Sequence, residues 1–133
     1  MLRAVKISSM ALRVLWLLAL ALGLSIVGFN LDPRSGWGLT HMLLGIVIVA
    51  LFWFLGIAQG LTKAGSLILA VVTFLVGLAI PIIGIAQTIP ADGTASQYLL
   101  QGSHVVLILA AIALGEVCAA RYKRAVAAVP VAV

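Results

Sequence analysis

His41 and His104 are the only imidazoles in the chain, and each sits just inside the start of a long apolar run. The stretches are Gly38-Leu-Thr-His41-Met-Leu-Leu-Gly45 and Gly102-Ser-His104. An ionisable ring inside hydrocarbon is costly and marks a site. Neutral imidazole offers a nitrogen lone pair to a metal while its other nitrogen donates a hydrogen bond. Two such rings at one depth could share a single ion. Taken separately, each could instead contact a pigment or a quinone, or serve as a hydrogen-bonding group at the membrane interface.

Other chemistry is sparse. The sequence has no Ser/His/Asp set, no phosphate-binding glycine loop and no paired carboxylates. The three acids are Asp32 and Asp92, both expected in loops, and Glu116, expected to pair with Arg121 near the end of the last helix. One cysteine, Cys118, excludes an internal disulfide and a CxxC redox pair, and reads as a small packing residue. With no CxxCH motif, a haem would have to be held without covalent attachment.

The elements that must position the histidines follow from hydropathy. The chain of 133 residues is 65% hydrophobic and 8% charged. Its mean hydropathy is +1.32. Nearly uncharged runs of eighteen or more residues predict membrane-spanning helices over about 11–29, 37–58, 66–87 and 98–120. The breakers are Asp32-Pro33, Gln59 to Gly65, and Thr88 to Gln97. Residues 1–29 carry the basic start and apolar run of a signal peptide and are taken here as the first span. Pro81 is expected to bend the third helix. The segment after Arg124 is short, apolar and too short to span.

The expected fold is all-α: an integral membrane four-helix bundle, up-down-up-down, in a single transmembrane domain covering 1–133. The formal net charge of +5 is topological. Seven of eight Lys/Arg flank helix ends on one side, and only Arg34 lies on the other. That asymmetry predicts cytoplasmic termini and a multi-pass protein of the plasma (inner) membrane, with no role in nucleic-acid binding. The partners expected are lipid and either a larger membrane complex or further copies of this chain.

Depth then brings the histidines together. His41 lies 18 residues before Gln59, and His104 lies 17 residues before Arg121. At about 1.5 Å per residue, both stand roughly 26 Å from the cytoplasmic boundary. Helices 2 and 4 are diagonal in such a bundle and face each other across the core. A haem iron, already held by four porphyrin nitrogens, needs only two such axial ligands. A zinc site would need a third ligand that is missing. Room for the ring is expected at Ser25 and Gly28 on helix 1, at Gly77, Pro81 and Gly84 on helix 3, and at Gly45 one turn below His41. The two halves read as a parallel repeat of a helical hairpin.

The same residues resemble a family. Histidines near the outer ends of the second and fourth helices resemble one four-helix half of a haem A synthase. His41-Met-Leu-Leu-Gly45 is similar to that family's His-Arg-Leu-Leu-Gly run. Gly38 stands where the family has glutamate, and the paired loop cysteines of many members are missing. The resemblance therefore implies a haem-binding scaffold rather than haem A synthesis.

These readings give a membrane b-type cytochrome, or a haem-carrying subunit of an electron-transfer complex, with haem b between His41 and His104 as the expected cofactor. A cofactor-free structural subunit and a pigment- or quinone-contacting subunit are the alternatives. The haem propionates should point outward, where Arg34 is the available cation and Thr40, Gln101 and Ser103 offer neutral hydrogen bonds.

Overall fold

The computed structural model describes residues 1–29, 31–32, 34–88 and 94–128; Asp92 and the end of the chain beyond 128 lie outside them. Among the described residues the structure is all-helical: α1 (Leu2–Gly28), α2 (Gly36–Gly60), α3 (Leu67–Ala86) and α4 (Thr94–Ala127). All four are long and apolar enough to cross a bilayer, which makes the chain a multi-pass membrane protein in contact with lipid. The apolar side chains turned outward, such as Leu17, Leu24, Leu75 and Val106, are what hydrocarbon requires.

Two helices are longer than hydropathy alone predicts. Expected over 11–29, α1 begins at Leu2; expected over 98–120, α4 runs from Thr94 to Ala127. The extensions contain no glycine or proline, so nothing stops helical hydrogen bonding when the composition turns polar. Val5, Ser8, Ser9 and Leu12 are buried, one helical stripe that carries the α1 extension into the core with Cys118, Ala119 and Tyr122 of α4. At 34 residues α4 is about 50 Å long, well beyond the hydrocarbon thickness of about 30 Å.

Sequential helices pack on one another and α1 closes against α4. Across one diagonal α2 and α4 touch, while α1 and α3 make no contact among the described residues. The α2–α3 seam is tight because of small residues. A Cβ on Gly56 would stand 2.7 Å from Thr73 Cγ2, and one on Gly60 would stand 3.1 Å from the Ala70 Cβ. Trp53 lies over Gly77, donates from Nε1 to the Phe74 carbonyl (3.2 Å) and stacks on the Phe74 ring at 5.0 Å.

The turn between α2 and α3 is stapled from within. Gln59 is fully buried; its Nε2 donates to the Ser66 carbonyl (3.1 Å) and its Oε1 accepts from the Ser66 amide (2.8 Å). Ser66 caps α3 by accepting from Leu69 N (3.2 Å).

Glu116 does not pair with Arg121. It accepts from Arg13 Nε of α1 (2.8 Å) and from Ser9 Oγ (3.3 Å), and a second oxygen meets Arg13 Nη2. Five residues along a helix is about 140° around it, so Arg121 is turned away from Glu116, whereas Arg13 faces it from the neighbouring helix.

Candidate functional site

His41 of α2 and His104 of α4 come together across the α2–α4 diagonal. Their ring centroids are 6.4 Å apart, with the planes inclined at 53°. Both are half-buried in a cavity of about 270 Å³ lined by all four helices. Gln87, Gln97 and Gln101 stand at the cavity's histidine end, and Leu12 and Phe52 at its far end.

Each imidazole rests on a glycine of the helix before it in sequence. A Cβ at Gly23 would be 3.1 Å from His41 Cε1, and a Cβ at Gly84 would be 3.3 Å from His104 Cε1. Four residues before each glycine, one turn away on the same face, comes a main-chain acceptor. His41 Nδ1 lies 3.0 Å from the Ala19 carbonyl, which fixes the proton on Nδ1 and leaves Nε2 as the free nitrogen. Ile80 stands in the matching place for His104, and its carbonyl is near the ring. Yet His104 Nδ1 is buried without a hydrogen bond of ordinary geometry.

The hairpin repeat read from the sequence extends through these contacts. The register that carries Ala19 and Gly23 onto Ile80 and Gly84 also carries Arg13 onto Phe74. The register that carries His41 onto His104 carries Trp53 onto Glu116. One edge of the bundle thus has the Arg13–Glu116 ion pair where the other has the Phe74–Trp53 stack.

The other sequence-designated residues divide. Gly84 lies against His104. Gly45 lines the cavity, and a Cβ there would meet nothing within 4 Å. Gly28 is exposed at the end of α1, a Cβ there would also meet nothing, and it does not line the cavity. Gly23 holds the position expected of it. Gln101 lines the cavity, whereas Thr40 and Ser103 bond back to Gly36 and Leu100 of their own helices. Arg34 lines a second cavity with Leu39, Met42, Ile85 and Thr88, and the last three also border the main one.

Ala19, Gly23 and Trp16 are the residues sequence reasoning did not reach. Trp16 lines the cavity, and its Nε1 is buried without a partner. Their spacing, Trp16-x-x-Ala19-x-x-x-Gly23, puts them on one helical face, and that periodicity was the available signal. Among the described residues no group of three or more His, Cys, Asp or Glu could hold a metal ion, so a bare tetrahedral site is not built here. Compared with protein-family models, curated proteins and solved structures, the chain matches none of them.

The arrangement suits a flat ligand held from both faces. With metal–nitrogen bonds of about 2.0 Å and ring centroids about one ångström behind the nitrogens, two opposed imidazoles on one ion have centroids roughly 6 Å apart. The observed 6.4 Å agrees with that spacing. The glycine cradles, and the Ala19 contact that leaves His41 Nε2 free, fit a bis-histidine group in the cavity.

Proposed function

We propose that the chain is a membrane b-type cytochrome or haem-carrying subunit, with haem held between His41 and His104. The observation that carries this is the pair of imidazoles 6.4 Å apart in one four-helix cavity, each seated on a glycine. Haem so held would supply one-electron transfer at a potential tuned by its ligands and surroundings. His41 and His104 would hold the haem, and the Ala19 carbonyl orients His41 for that role. Apolar walls such as Ile48, Ile80 and Ile108 keep water from the site. Arg34 and Gln101 would receive the propionates at the polar end. This scaffold is the property for which the sequence resembles one half of a haem A synthase.

The charge asymmetry supports an up-down-up-down bundle in the plasma (inner) membrane with both termini cytoplasmic and the histidine end outward. An electron partner then meets the site from the outer side, as a subunit of a larger complex or as a separate protein.

The test is the optical spectrum of protein purified after expression with ample haem. A low-spin bis-histidine spectrum is expected, and both His41→Ala and His104→Ala should abolish it. A wild-type protein with no Soret band, or either variant with an unchanged spectrum, overturns the proposal.

A further inference from the structure

The two imidazoles are held unequally, and we propose that His104 is an exchangeable ligand that yields its place to a small neutral diatomic molecule while His41 remains. This rests on the haem reading above and concerns which ligand gives way. His41 is fixed twice, by its Nδ1 contact with the Ala19 carbonyl at 3.0 Å and by its seat on Gly23. His104 has the seat on Gly84, but its buried Nδ1 has no hydrogen bond of ordinary geometry and the Ile80 carbonyl only comes near it.

The asymmetry coincides with a local difference in sequence. Ile80 is the counterpart of Ala19, but the residue after it is Pro81, where α1 has Leu20. Proline removes the N–H that would bond the Gly77 carbonyl and crowds that turn of the helix. The Ile80 carbonyl lies near the imidazole without meeting Nδ1 at bonding geometry.

A histidine bound through Nε2 must carry its proton on Nδ1. For His41 that proton is shared with Ala19. For His104 the Ile80 carbonyl is near but not at bonding geometry, so ligation leaves a buried donor poorly satisfied. Release lets the ring turn towards Ile80. Loss of such an outer partner typically weakens metal binding by about 10–100-fold. Ile80, Pro81, Ile108 and Ala111 line the same cavity, an apolar setting that admits a neutral diatomic and excludes an anion.

The experiment uses haem-loaded protein in detergent, reduced, with carbon monoxide as the probe. Wild type should bind carbon monoxide with loss of the bis-histidine spectrum. His104→Ala should keep its haem, give the same carbonyl spectrum as wild type and bind at least about tenfold faster. His41→Ala should lose haem occupancy by at least about tenfold more than His104→Ala does. Pro81→Leu should slow binding by restoring the Ile80 contact. A haem-loaded wild type that refuses carbon monoxide at saturation overturns the inference and leaves the haem reading standing. Equal haem loss in the two histidine variants does the same. Failure of wild type to take up haem overturns both.

Discussion

A methyl group at position 23 would stand 3.1 Å from His41 Cε1, and one at position 84 would stand 3.3 Å from His104 Cε1. These distances leave room for a small shift but not for a branched side chain. Gly23→Leu and Gly84→Leu should therefore displace the rings and lower the haem-to-protein ratio severalfold. Gly28→Ala, where nothing lies within 4 Å, should leave that ratio unchanged. Arg34→Ala should weaken haem retention modestly, because a charge-assisted bond at a wet rim contributes little. It should also lower the midpoint potential, since a cation near the iron favours the reduced state; a redox titration measures this. The two histidines were legible in the sequence as the only imidazoles at matched depth. Their cradles were legible in part: Gly84 was chosen for size and place, but on α1 proximity to the loop pointed to Gly28. What selects Gly23 is helical phase relative to the partner's ring, which no single helix reveals before its neighbour is placed.

At the scale of helices, small residues and one ion pair decide which faces meet. Gly56 leaves no space for a side chain against Thr73, so Gly56→Leu should cost about 1–3 kcal/mol or more through overpacking of the α2–α3 seam. Thermal unfolding in detergent would show this as a lowered midpoint. Between α1 and α4 the Arg13–Glu116 pair is half open to its surroundings. Arg13→Ala or Glu116→Ala alone should destabilise by stranding the partner's charge in an apolar setting. The double replacement should recover part of the loss, which a double-mutant cycle measures directly. The four spans were legible because a bilayer demands about twenty apolar residues and the chain supplies four such runs. Their ends were not. Charge marks the edge of hydrocarbon, as at Arg121, yet the backbone needs only the absence of breakers to continue as helix. Along one helix Arg121 is the arginine nearest to Glu116 in sequence, whereas the one that pairs with it stands across the seam.

The whole molecule has two unlike ends. Gln59 staples one end internally, while the other holds the cavity, its polar rim and Arg34. The proposed orientation puts the stapled end in the cytoplasm. In a Cys118→Ser background, Asp32→Cys should react with an impermeant thiol reagent in intact cells and Ala64→Cys should not; the reverse pattern inverts the protein in the membrane. Both positions are exposed, so access depends on sidedness alone. The pairing of the first helix with the last has a consequence in time. Chain emerges from the ribosome α1 first, and Arg13 enters the membrane long before Glu116 has been made. Until α4 arrives, Arg13 has no carboxylate opposite it and His41 faces an incomplete wall. The cavity therefore cannot exist on a nascent chain that still lacks its fourth helix, and whatever fills it must be supplied after α4 has been made.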